Sequence, residues 1–121
     1  MVEFVFMLPI VFLVIYGMFE VSRAWLTVGM VTEATRQGAR AGAVTPSTTG
    51  DVFNSSPAFA AVDSVLNAVG LLAGASRSVT CATPCKSDSQ VQATVTVTFT
   101  SALLPWLTPV NIQETTTMRH E

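Results

Sequence analysis

A run of sixteen residues without a charge constrains this chain more than any other feature. It extends from Phe4 to Phe19 and lies between Glu3 and Glu20. As a helix the run would be about 24 Å long, slightly short of the roughly 30 Å hydrocarbon core of a bilayer. Flanking residues or local thinning of the bilayer can supply the difference. The sequence therefore predicts a helix that needs lipid or other helices around it.

The composition excludes several classes of protein. Of 121 residues, 50% are apolar and 12% are charged, whereas roughly a quarter are charged in a typical soluble domain. The formal net charge is −2 and the basic residues form no run, so the footprint of a nucleic-acid partner is missing. One histidine and two cysteines cannot alone form a tetrahedral metal site, and no Gly-rich phosphate loop is present. We expect neither an enzyme nor a cofactor.

The apolar run does not resemble a cleavable secretory signal. Such a signal begins with basic residues and ends in a small-residue cleavage site. No Lys or Arg precedes Arg23, and residues 16–20 contain no such site. We expect the run to be retained, and removal of a basic leader ahead of Met1 is compatible with it.

The helix is expected to continue beyond Glu20 with a change of pattern. Apolar and small residues recur at three- and four-residue steps, as on one face of a helix. They are Val21, Ala24, Trp25, Val28, Val31, Thr35, Gly38, Ala39 and Gly42. One helix over residues 1–43 would be about 65 Å long. Its first half would lie in a membrane or filament core, and its second half would pack on a head formed by residues 44–121.

The head is predicted to contain a second helix. Residues 45–56 are rich in Pro, Gly, Ser and Thr and read as a loop. Ser56 then supplies an N-cap and Pro57 a first helical position. An apolar stripe extends to Leu72, and Gly74 is the expected end of this helix.

The rest of the head has the period of a sheet. Residues 91–100 alternate between an apolar side chain and Thr or Gln, so one face packs and the other meets water. Residues 76–81 and 110–118 are weaker strand candidates. Three short strands joined by turns favour an antiparallel sheet covered by the two helices. The expected fold class is α+β.

The two cysteines are close enough in sequence to pair with each other. Cys81 and Cys85 are separated by three residues. A metal site would need two more ligands, and a redox-active pair would have only Lys86 as a neighbouring positive charge. An exported domain lies in an oxidising compartment, and a small head is only marginally stable. A structural disulfide is therefore the preferred interpretation.

The N-terminal region resembles a known family. MVEFVFMLPIVFLVIYGMFEVSRAW followed by VTEATRQGARAGA looks like TadE-like pilins, in which a V-E-F-x-x-x-x-P apolar helix leads to an A-x-x-G-A-R segment. The closing TTTMRHE resembles the C-terminal strand of the family. The resemblance implies a structural subunit cut by a prepilin peptidase and assembled from the inner membrane, with other subunits, into or at the base of an extracellular tight-adherence pilus.

Glu3 has two interpretations. It can mark the membrane boundary and interact favourably with the helix N-terminal dipole, for a few tenths of a kcal/mol. Alternatively it pairs with the α-ammonium of a neighbouring subunit, as in type IV pilins, an attraction of about 4 kcal/mol at 4 Å and an effective dielectric of 20. The family glutamate lies two positions further along the mature chain than Glu3 does here. Either two residues precede Met1, or cleavage falls at an unusual place.

Other residues of the run are expected to serve assembly. Phe4 and Tyr16 lie near its two ends, inside the part that enters the bilayer and then the filament core. Pro9 removes one helical hydrogen bond, so it is either a tolerated kink or a point where the helix bends during assembly. Gly17 can admit a neighbouring helix, although a plain packing role is preferred because the glycines are irregularly spaced.

An apolar segment between two strands is left with two interpretations. Its residues are Leu103, Leu104, Pro105, Trp106 and Leu107. A plug of the core is favoured by the general burial tendency of these residues. If exposed, the segment would be a surface or intersubunit contact.

Two functions from different classes follow from the sequence. The first is a pilin-like subunit with its head in the periplasm before assembly and outside the cell afterwards. The second is a single-pass membrane protein that never polymerises and serves as a structural anchor or as a small binding module with its Thr-rich sheet face.

Overall fold

The structure is a computed structural model that describes residues 2–45, 53–82, 85–86, 88–101 and 108–121. Its elements are helix α1 (Val2–Val44), helix α2 (Ser56–Ala68), a 3-10 turn (Leu72–Gly74) and strands β1 (Ala75–Cys81), β2 (Gln90–Phe99) and β3 (Val110–Arg119). The strands form one antiparallel sheet in the order β1-β2-β3. The predicted α+β layout of a long helix, a second helix and a three-stranded sheet is confirmed.

Helix α1 runs without interruption for 43 residues and passes through Pro9. Several hydroxyl side chains donate a hydrogen bond to the backbone carbonyl four residues earlier. Their O–H groups are therefore satisfied without a partner outside the helix. These are Ser22, Thr27, Thr32 and Thr45, with oxygen–oxygen distances of 2.7–2.9 Å. Glu33 accepts a hydrogen bond from Gln37 at 2.9 Å.

The sheet has one packed face and one polar face, as the period of two requires. Val91, Ala93, Val95 and Val97 of β2 are buried. The opposite face carries mainly neutral polar side chains, with Arg119 at one end. Among them are Thr94 and Thr115, whose hydroxyls lie 3.1 Å apart.

The sheet lies lengthwise along the second half of α1. A Cβ at Gly42 would lie 2.9 Å from Val91, whereas the ring of Phe99 lies 5.7 Å from the Arg23 guanidinium carbon. Strand β2 therefore runs antiparallel to α1. We call the end of the head at Phe99 and its partner Val110 the proximal end, because it is closer to the apolar run. The end at Gln90 and Arg119 is the distal end.

Helix α2 packs beside α1 in the opposite direction. Ala58 lies against Gly42, and further along α2 the side chains of Val62 and Leu66 join Val31 in the core. The helix begins at Ser56 with Ser55 as its cap, so the cap precedes the predicted one by one residue.

Helix α2 ends earlier than the apolar stripe predicts. Its last residue is Ala68, and the chain turns at Gly70, which has a φ of +71°. Leu71 N–H donates to the carbonyl of Leu66 at 2.9 Å, and Gly70 N–H donates to Asn67 at 3.1 Å. These two bonds form a Schellman motif, which terminates a helix. The expected end at Gly74 was wrong because the apolar pattern continues through the 3-10 turn.

The C-terminus closes the distal end of the head. Glu121 N–H donates to the carbonyl of Ala43 at 3.1 Å, and a ring nitrogen of buried His120 lies 2.8 Å from the carbonyl oxygen of Thr45. The end of β3 is thereby attached to the end of α1.

Candidate membrane and assembly helix

The first half of α1 is exposed on every side. Each large apolar side chain from Phe4 to Phe19 is exposed, and so are those of Val21, Trp25 and Leu26. Among the described residues, α1 is the one helix long and apolar enough to cross a membrane, and none of its most apolar 18-residue window is buried. In water this surface would far exceed the few hundred Å² of contiguous apolar patch typical of a monomer. It requires lipid or protein around it.

The head covers α1 over a shorter length than the sequence pattern indicates. Val21 and Trp25 belong to the predicted packing face but are exposed, and the first fully buried residue of α1 is Val31. Apolar residues recur at helical spacing both where α1 is exposed and where the head covers it. The pattern alone therefore placed the start of the packed half too early.

The residues predicted to serve assembly are spread along α1 and do not form one cluster. Glu3 lies in the first turn, and Phe4 and Tyr16 are exposed. Pro9 lies inside the helix, and a Cβ at Gly17 would meet nothing within 4 Å apart from its chain neighbours and the nearby backbone of its own helix. These residues lie at separate positions along the exposed half of α1, so they could contact several neighbouring molecules but do not line one pocket.

The boundary between the two halves of α1 carries an ion pair. Arg23 Nη1 lies 3.5 Å from Glu20 Oε1, and the Glu20 side chain is mostly shielded from water. The Arg23 guanidinium also faces the ring of Phe99 at the end of β2, in a cation–π arrangement. The spacing of Glu20 and Arg23 predicts the ion pair, but the contact with Phe99 depends on tertiary packing that the sequence does not reveal.

The cysteine pair lies at the distal end, far from the apolar run. Cys81 ends β1 opposite Val91, and its sulfur lies at disulfide-bonding distance from that of buried Cys85, with a Cα–Cα distance of 5.8 Å. This separation is within the range observed for disulfides.

Two other charged contacts of the described residues connect parts of the head. Arg77 of β1 donates to Asp63 of α2 at 3.0 Å, and Arg119 of β3 pairs with Asp88. Within the part of the chain that the structure describes, no group of three or more His, Cys, Asp or Glu residues could hold a metal ion. The apolar segment from Leu103 to Leu107 lies outside the described residues.

Comparison with known proteins gives a family match that covers most of helix α1. Residues 1–40 match the model of the TadE-like protein family. The predicted resemblance is thus confirmed over these residues, which include the exposed half of α1 and most of the half that packs on the head. TadE-like pilins are structural proteins associated with the Tad pilus, and the long apolar helix indicates membrane anchoring. No curated protein and no solved structure gives a significant match to the chain.

Proposed function

We propose that this chain is a pilin-like structural subunit without enzymatic activity. It inserts in the inner membrane through α1 and then assembles with copies of itself or with other pilin subunits into an extracellular tight-adherence filament that supports adhesion. Residues 1–43 serve as membrane and assembly helix, and residues 44–121 are the exported head. A prepilin peptidase and the pilus assembly machinery are its expected partners.

One observation carries the proposal, namely the division of α1 into an exposed half and a packed half. From Val31 onward α1 is part of the head's core, so it cannot leave the head without unfolding it. The exposed half projects from the head as a continuous apolar helix. Outside the membrane, bundling of such helices keeps their apolar surface out of water, which is worth about 25 cal/mol per Å² relative to exposure to water.

Five residues are proposed to act in assembly. Phe4 and Tyr16 supply contact area, Gly17 admits a neighbouring helix, and Pro9 allows the helix to bend during its transfer from the bilayer. Glu3 is proposed to pair with the N-terminal ammonium of the next subunit. Its position in the first turn at the exposed end of α1 leaves its carboxylate open to such a partner.

The disulfide between Cys81 and Cys85 is proposed to form after export. The periplasm is oxidising, and the two sulfurs are already at bonding distance in the folded head.

Fractionation of cells that produce the chain tests the proposal. We expect the mature chain in the material sheared from the cell surface, and electron microscopy with a specific antibody should show it along filaments. Retention of the chain only in detergent-solubilised membranes would contradict the proposal and favour an anchored protein that does not polymerise.

A further inference from the structure

The continuous helix α1 fixes how deep each part of the head lies relative to a bilayer. A helix needs about 20 residues to cross the hydrocarbon core. Twenty residues counted from Glu3 end at Ser22, directly before Arg23. The Glu20–Arg23 ion pair therefore lies at the outer boundary of the core, where a paired charge is tolerated better than at the bilayer centre.

The proximal end of the head lies at the same depth. The ring of Phe99 is 5.7 Å from the Arg23 guanidinium carbon, and Phe99 pairs with Val110 across the sheet. Because β2 runs antiparallel to α1, the rest of the sheet extends away from this level. The ten residues from Phe99 to Gln90 span about 30 Å, so the distal end is far outside the bilayer.

The proximal end has the side chains of a surface that meets lipid. Beyond Leu26, the exposed large apolar residues of the described chain are Val44, Val69 and Val110. Val69 follows α2, which runs toward the proximal end, and is 38% exposed, while Val110 is 57% exposed. Only Val44 lies elsewhere, at the distal end.

The charged side chains of the sheet, in contrast to the exposed apolar ones, lie away from the proximal end. Among the described residues of the sheet, the charged side chains closest to the proximal end are Arg77 and Glu114, both opposite Val95. From Val95 to Phe99 the sheet extends about 13 Å with neutral residues only. Lys86, Asp88 and Arg119 are all distal.

An aromatic residue on α1 marks the same level. Trp25 is 80% exposed and lies two residues, or about 3 Å, beyond Arg23 along the helix. Tryptophan is enriched at the membrane–water interface because its ring is amphipathic. The exposure of Trp25, which no element of the described head covers, is thus accounted for by lipid headgroups.

We propose that the proximal end of the head, formed by Val69, Phe99 and Val110 beside Arg23, rests in the headgroup layer of the outer leaflet. The head then stands upright on the bilayer and does not swing freely above it. This inference depends on membrane insertion of α1 and is independent of filament assembly. It holds equally for a subunit that waits in the membrane and for one that never polymerises.

Tryptophan fluorescence in vesicles tests the proposal. In the full chain, Trp25→Phe and Trp106→Phe remove the native tryptophans, and a single reporter is introduced as Val110→Trp at the proximal end. The matched control is Gln90→Trp, an exposed position at the other end of the sheet. Both variants are reconstituted in phosphatidylcholine vesicles with or without lipids brominated close to the glycerol backbone, and circular dichroism verifies that both are folded.

We expect the Val110→Trp variant to show blue-shifted emission and to lose intensity in brominated vesicles, whereas the Gln90→Trp variant keeps water-exposed emission and its full intensity. Val69→Trp should behave like Val110→Trp.

Lack of quenching at both ends would overturn the proposal, since the head would then lie outside the bilayer. Quenching at both ends would overturn it as well, because the head would lie flat. Blue-shifted emission at Val110→Trp without quenching would overturn it too, because the reporter would then contact protein in place of lipid. Filament assembly is measured separately by shearing, so a failure there leaves this result unaffected.

Discussion

Two glycines allow the close contacts between α1 and the rest of the head. A Cβ added at Gly38 would clash with the side chain of buried Val62, and one added at Gly42 would lie 2.9 Å from Val91 and 3.3 Å from Phe53. The two glycines are four residues apart, so they share one face of the helix. This face carries both α2 and the distal part of β2.

Gly38→Ala should therefore destabilise the head even though alanine favours helices. Overpacking costs about 1–3 kcal/mol in a well-packed core, and replacing glycine inside a helix gains about 1 kcal/mol. The net loss is therefore up to about 2 kcal/mol. Gly29→Ala is the matched control, because it changes the same residue type in the same helix, where the added Cβ would meet no packed side chain within 4 Å beyond its chain neighbours. Thermal unfolding of the detergent-solubilised chain should give a lower midpoint for Gly38→Ala and an unchanged or higher one for Gly29→Ala. Equal midpoints would contradict the proposed close packing.

The cysteine pair is predicted to stabilise the head through its covalent bond. Replacing both Cys81 and Cys85 by Ser should cost about 2 kcal/mol, the chain-entropy value for so short a loop, without a change of fold. Mass spectrometry of non-reduced peptides from exported protein should show the bridge, and thermal unfolding of the double variant should give a lower midpoint. Two free thiols or bound zinc in exported protein would rule out the disulfide.

Helix α1 is one continuous helix whose two halves have different surroundings. Its apolar half makes no contribution to the core, whereas Val31, Ala34 and Ala39 are fully buried in it. The second half is also attached at its end, where the carbonyl of Ala43 accepts from Glu121. The second half of α1 is therefore part of the core on which the described part of residues 44–121 packs.

Deletion of residues 4–19 is predicted to give a soluble head that folds but does not assemble. All the fully buried residues of α1 remain in the shortened chain, so the core stays complete. Circular dichroism should show helix and sheet with a cooperative thermal transition.

A shorter chain that begins at Thr45 is the control for this deletion. It keeps α2 and the sheet but loses the helix that covers β2 and β3, so the apolar face of β2 would be exposed to water. We expect it to be unfolded or aggregated. A random-coil spectrum for the deletion of residues 4–19 would show that the head is not self-sufficient, and a folded chain from Thr45 would show that α1 is not part of its core.

The elements differ in how far the sequence reveals them. Strand β2 is visible because its alternation of apolar and hydroxyl residues has only one structural solution. The end of α2 is not visible, because Leu72 continues the apolar period after Gly70 has already turned the chain. The contact between Arg23 and Phe99 joins residues 76 positions apart, and no local pattern encodes it.

At the scale of the whole molecule, the charges flanking the apolar run differ in their surroundings. Glu20 is shielded and paired with Arg23 beside the head. Glu3 is exposed at the other end of the run, with no cation of the described chain forming an ion pair with it. An isolated carboxylate there gains only a few tenths of a kcal/mol from the helix dipole. A partner from a second subunit would add more.

Membrane insertion and assembly respond in opposite ways to the loss of this charge. Glu3→Leu removes an acid from the edge of the apolar run, so insertion should be unchanged or easier. If Glu3 pairs with the ammonium of a neighbour, a loss of about 3 kcal/mol per contact lowers the association constant of each subunit about a hundredfold. We therefore expect the Glu3→Leu chain to be processed normally, to accumulate in the inner membrane and to disappear from the sheared fraction.

The control variant Glu3→Asp keeps the charge and should retain more assembly than Glu3→Leu. Quantitative blotting of both fractions measures this, and equal amounts of wild-type and Glu3→Leu protein in the sheared fraction would reduce Glu3 to a marker of the membrane boundary.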